Sequence, residues 1–137
     1  MNKPHIFCYM MTSTDVRIDC AMTSKLNGVK DYYKELDKLN IPSTLSGRIT
    51  AQLELALPGE YISADTTKET HDCFSKKTDS DGYDIIVDTK GRLLWDNDNN
   101  YENPHIIISS QKVNKECLKY LDSKNISWIV SWKDNID

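Results

Sequence analysis

Glycine is scarce and never clustered: five residues in a chain of 137. That is too few for the glycine-rich turns that wrap phosphates in many nucleotide sites, and neither a GxGxxG fingerprint nor a P-loop occurs. The four cysteines, Cys8, Cys20, Cys73 and Cys117, form no CxxC pair. This removes the common zinc and redox spacings. His5, His71 and His105 have no metal spacing, and His71 with Cys73 would supply too few ligands. "DSDGYD" and "DNDNNYE" lack the closing glutamate of a calcium loop and read as turns. No Ser/His/Asp or Cys/His arrangement stands out by spacing. A long apolar run is missing too, so no membrane span is expected, and "MNKPHIFCYMM" does not have the form of a secretory leader. Positive charge is not in excess: the net charge of -4 argues against a general nucleic-acid binder but leaves room for one local phosphate site. Scattered thiols without a leader point to a cytoplasmic protein, with Cys8 and Cys117 expected as small buried hydrophobes.

What is present is a regular alternation. "HIFCYMM" (5–11) is an apolar run of strand length. Val29, Tyr32, Tyr33, Leu36 and Leu39 recur at helical spacing. "IPSTLSG" predicts a strand over 41–46, and "RITAQLELA" (48–56) a helix stopped by Pro58 and Gly59. Residues 59–82 carry no period and read as loop, with one short strand near Tyr61. "YDIIVDTKGRLLW" (83–95) predicts two strands around a turn at "DTKG". "HIIIS" (105–109) is a β-branched strand. Val113, Cys117, Tyr120 and Leu121 mark a helix entered after "SSQK", and "ISWIVSW" predicts a strand over 126–131. Trp95, Trp128 and Trp132 read as packing residues, with flanking of a flat ring as a second reading for Trp95. No repeat, low-complexity tract or linker divides the chain, so one domain over 1–137 is expected. Alternating strands and helices suggest an α/β fold with a mainly parallel sheet.

Two strand-to-helix junctions share one chemistry. "LSGRIT" and "IIISSQKV" both pass from apolar chain to cationic or hydroxyl-bearing residues where a helix begins. Ligands of open α/β sheets bind beyond the carboxyl ends of strands, and helix N-termini favour phosphates. Arg48 would add a bidentate partner and Thr50, Ser109 and Ser110 hydroxyls. Helix capping accounts equally for the serines, and a solvated surface charge for Arg48.

"GRIT" and "IIISSQ" resemble the cofactor junctions of dihydrofolate reductases. "HIFCYMMTSTDVRID", "LSGRITAQ", "IVDTKGRLLW" and "HIIISSQKVNKECLKYLDSKNISWIV", in this order, resemble the pyrimidine reductases of riboflavin biosynthesis, whose fold is dihydrofolate-reductase-like. The likeness spans most of the chain, with residues 57–82 the exception. It implies a three-layer α/β sandwich, NADPH as cofactor, and hydride transfer to a 5-amino-6-(5-phosphoribosylamino)uracil-like substrate. It also implies Gly47, Arg48 and Thr50 at the phosphates or nicotinamide side of NADPH, with Ser109, Ser110 and Gln111 near its adenosine phosphate end. Thr12 and Asp15 would sit beside the phosphorylated pyrimidine substrate. Asp15 and Glu54 would be the catalytic acids, Glu54 standing where several members carry an aspartate. Two departures stand out. Val16 follows Asp15 where the family has glycine; a β-branched residue resists positive φ, so a loop of different shape is expected. The family also continues to a glycine-rich phosphate-binding turn and further strands that the sequence does not contain. The chain therefore reads as the N-terminal part of such a reductase, with uncovered sheet edges that favour a homodimer. The alternative is a non-catalytic fragment serving as a nucleotide-binding or assembly module.

Overall fold

The computed structural model describes residues 3, 5–16, 18 and 25–133. The chain divides into two compact units, Met1–Ile41 and Pro42–Asp137.

In the first unit, helix α1 (Val29–Lys38) follows the predicted apolar spacing, with Asp31 in its first turn and Lys38 in its last, both favourable to the helix dipole. The Tyr32 hydroxyl donates to the Tyr9 carbonyl at 3.2 Å, and the two rings stack at 5.2 Å. The predicted strand over 5–11 is not formed. A strand exists by pairing its backbone with a neighbour, and no strand pairs with this segment among the described residues. Its apolar side chains are correspondingly open, with Ile6, Phe7 and Met10 exposed. Cys8 is exposed as well, correcting the expectation of a buried thiol.

The second unit is α/β, with a five-stranded, mostly parallel sheet in the order β1-β3-β4-β5-β2. Its strands are β1 (Thr44–Gly47), β2 (Cys73–Ser75), β3 (Asp84–Val87), β4 (His105–Ser109) and β5 (Ser127–Val130). Strands β1, β3, β4 and β5 run parallel, in the register Gly47↔Val87, Val87↔Ile108 and Ser109↔Val130. Their carboxyl ends therefore share one edge. Helix α2 (Arg48–Glu54) leaves directly from β1, and helix α3 (Lys115–Ser123) connects β4 to β5. Strand β2 pairs antiparallel with β5 at the far edge. Its sequence signal is weak because a three-residue edge strand in polar surroundings carries little apolar pattern.

The core lies on one face of the sheet. Ile86, Ile107 and Val130 are buried there with Leu93, Trp95, Val113, Cys117, Leu118, Leu121 and Ile126. The opposite face is more open: Leu45, Ile129 and Phe74 are exposed, Phe74 to 75%. Trp132 is also exposed, so the packing role read for it does not hold, whereas Trp95 and Trp128 are buried.

The predicted hairpin over 83–95 is half formed. After β3 the chain turns, but residues 92–95 make only one isolated bridge, Leu94 with Leu57. The cause is the Asp88 side chain, whose Oδ2 accepts from the backbone N–H groups of Arg92 at 2.6 Å and Leu93 at 2.9 Å. Those donors are satisfied without a strand ladder, and Leu93 and Trp95 enter the core instead. Near Tyr61 there is no strand either: its N–H donates to the Arg92 carbonyl at 2.7 Å.

Candidate functional site

Gly47 has extended backbone and ends β1; Arg48 then begins α2. The strand order sets β3 between β1 and β4, so the residues after β3 lie between the two junctions singled out in the sequence. Arg48, Val87, Asp88, Thr89, Lys90 and Arg92 line a cleft of about 290 Å³ at this edge. None of the described ion pairs takes Arg48 or Lys90, whereas Arg92 lies 3.2 Å from Glu60. Three cationic residues, Arg48, Lys90 and Arg92, thus line the same cleft as the buried Asp88.

That carboxylate, Asp88, is 1% exposed. Its Oδ2 closes the 88–92 turn, while its Oδ1 is buried without a hydrogen-bond partner among the described residues. Burial pushes its pKa above the ordinary aspartate value; the N–H groups of Leu93 and Arg92 and the charge of Arg48 act in the opposite direction. Gly91 completes the turn at φ +67°, and a Cβ there would meet the Cys117 Sγ at 2.5 Å, so the position requires glycine.

The hydroxyls of the second junction face inward. Ser109 donates to the Asp88 carbonyl at 2.9 Å and Ser110 to the Thr89 carbonyl at 3.0 Å, both from fully buried positions. In these contacts they tie the β3 turn to the end of β4. Gln111 donates to the Asp72 carboxylate at 2.9 Å. Asn114, not the serines, is the N-cap of α3, and Ser110–Val113 forms a turn ahead of the helix. Thr50 is partly buried in α2, and Glu54 is exposed at its last residue. The expected site residues Gly47 and Arg48 therefore stand at one end of the edge and Ser109 and Ser110 further along it. Asp88, Lys90 and Arg92 fill the space between. The sequence reading missed these last three. Their signal was an aspartate closing an apolar strand, followed by two cations around a glycine, which reads equally well as a hairpin turn.

In the first unit, Thr12 and Asp15 are both exposed, and the Ser13 hydroxyl bonds to the Asp15 carboxylate. Val16 adopts φ +63°, contrary to the expectation that a β-branched residue would avoid it. Its N–H donates to the Ser13 carbonyl at 2.9 Å, closing a turn that holds the residue in this region.

A second buried pair lies elsewhere in the Pro42–Asp137 unit. The Nδ1 of His105 is 2.6 Å from Asp98, within a cluster formed by Trp95 and Tyr101. Asp98 also accepts from the His105 backbone N–H, so the pair anchors the start of β4. Among the described residues no three His, Cys, Asp or Glu side chains gather as a metal site, and no helix is long and apolar enough to cross a membrane.

No family model, curated protein or solved structure matches the chain.

Proposed function

We propose that this chain is a dihydrofolate-reductase-like α/β module of the NADPH-dependent pyrimidine reductase type, which seats cofactor phosphates in the cleft at the carboxyl ends of β1 and β3. One observation carries the reading: Arg48, Lys90 and Arg92 line a single cleft at that edge. The donor set suits a phosphate, because guanidinium groups make bidentate, charge-assisted contacts to its oxygens. NADPH supplies a hydride when bound, and the acceptor would be a phosphorylated, ribosylated aminopyrimidine. This chain's own residues bind and orient: Arg48 and Lys90 neutralise phosphate charge, while Ser109 and Ser110 hold the turn that carries Lys90 and Arg92. The exposed position of Glu54, which does not line the cleft, favours a second reading in which the module binds a nucleotide without catalysing.

Titration of NADPH against wild type and Arg48→Ala tests the proposal. Loss of a direct charge-assisted contact costs roughly 1.5–3 kcal/mol, which is about a ten- to hundredfold loss of affinity. Binding should also weaken with added salt, since solvent-facing charges are screened. Equal affinities for the two proteins, with wild-type binding clearly detected, would place the cofactor elsewhere. An absence of NADPH binding by the wild type would overturn the cofactor assignment.

A further inference from the structure

We propose that Asp88 is a positioning residue for Arg48, its protonation state setting whether the guanidinium is drawn to the sheet edge or left available to an anion. This rests on reading the cleft as an anion site. The geometry that motivates it is the division of labour between the two carboxylate oxygens. Oδ2 is taken by the Arg92 and Leu93 N–H groups, while Oδ1 is buried and has no partner among the described residues. A buried carboxylate oxygen without a donor is costly, and either a cation or a proton relieves that cost.

The groups around Asp88 narrow the choice of cation. Arg48 lines the same cleft from the start of α2, and its charge acts on the carboxylate. Arg92, on the same turn as Asp88, is engaged by Glu60, and Lys90 is exposed. From α3 the Cys117 thiol donates to the Gly91 carbonyl of the same turn at 3.5 Å, and burial keeps it protonated with a pKa of about 12. From β4 the Ser109 hydroxyl donates to the Asp88 carbonyl rather than to its carboxylate. Arg48 is therefore the half-buried cation, unpaired among the described residues, that shares the cleft with Asp88, and the one whose position the carboxylate would bias. When Asp88 is ionised it competes with an anion for that guanidinium. When Asp88 is protonated the competition ends, and the anion has Arg48 and Lys90 together. Burial raises the carboxyl, so the exchange falls closer to neutral pH than for an exposed aspartate.

Sulfate is a suitable probe because its charge does not change over the range used. Its binding to the full chain is followed by NMR shifts at Arg48 and Thr89 between about pH 4 and about pH 8, a range that starts near the ordinary aspartate pKa and extends in the direction of the shift. In the wild type, sulfate should bind about tenfold more tightly at the acid end, a coupling of ordinary size for linked sites. The pH dependence should disappear in Asp88→Asn and in Arg48→Gln. The same dependence in Arg48→Gln would mean that Asp88 repels the anion directly, and would overturn the positioning role; so would an unchanged dependence in Asp88→Asn. A second measurement needs no variant at position 88. By linkage, saturating sulfate should raise the midpoint of the Asp88 carboxyl carbon titration in the wild type, and an unmoved midpoint overturns the proposal. No sulfate binding by the wild type at any pH would overturn the anion cleft itself.

Discussion

Cys117 is held among core side chains of α3, and its thiol is pushed up to about 12 by burial first and by the charge of Asp88 second. The thiolate is the reactive species, so this residue is inert while the chain is folded. Cys73 is half-buried and its thiol is also raised, by desolvation and then by Glu69 and Asp72, while Cys8 is exposed. Brief alkylation near neutral pH should therefore label Cys8 and leave Cys117 untouched until denaturant is added. Peptide mass mapping checks this, and folded-state labelling of Cys117 at the rate of Cys8 would contradict the packing described. At the same scale, single residues explain where sequence reading stopped. The side chain of Asp88 replaced a strand ladder with two hydrogen bonds to its own turn. A residue type does not announce which backbone donors it will satisfy. Val16 shows the converse, a general steric preference overridden by a turn hydrogen bond.

Strand β4 shows how an element's pattern becomes energy. In "HIIIS" the buried positions are His105, Ile107 and Ser109, alternating with half-buried Ile106 and Ile108. The period of two places Ile107 in the core beneath α3, between Ile86 and Trp128 on the flanking strands. Ile107→Ala removes methyl groups from a site that cannot collapse around them, and should cost about 2–5 kcal/mol. Phe74→Ala, on the edge strand β2 and mostly exposed, should stay within about 0.5 kcal/mol. Urea unfolding of the two variants makes the comparison, and equal losses would contradict the assignment of the core to one sheet face. Both strand-forming runs flanking α3 were legible because β-branched residues dominate them. The run at 5–11 is apolar too, but Ile6 is its one β-branched residue, and no strand pairs with it among the described residues.

For the whole molecule, the second sheet face is the feature with a measurable consequence. Leu45, Ile129 and Phe74 are exposed on it, and Ile49 and Leu53 are exposed along α2. Apolar surface of this kind drives association, and β1 and β2, the outer strands of the sheet among the described residues, add hydrogen-bonding edges. The chain should therefore self-associate as its concentration rises. Sedimentation velocity across a wide concentration range tests this, and a single monomeric species throughout would contradict it.

Local pattern alone determined much of the chain's organisation. The spacing of Val29, Tyr32 and Leu36 set a helix, and the short apolar runs "DIIV", "HIIIS" and "SWIV" became neighbouring parallel strands, burying Ile86, Ile107 and Val130 on one face of the sheet. The junction residues Gly47 and Arg48 were also placed correctly at a strand end, since glycine and a following helical period mark that boundary within a few residues. Tertiary structure decided the rest. Strand order put the Asp88–Arg92 turn between β1 and β4, brought Lys90 and Arg92 to Arg48, and turned the hydroxyls of Ser109 and Ser110 onto backbone carbonyls. The physical reason is range. Periodicity and turn chemistry act over a few residues, whereas a cleft is made by residues some forty positions apart, brought together only when the sheet pairs its strands.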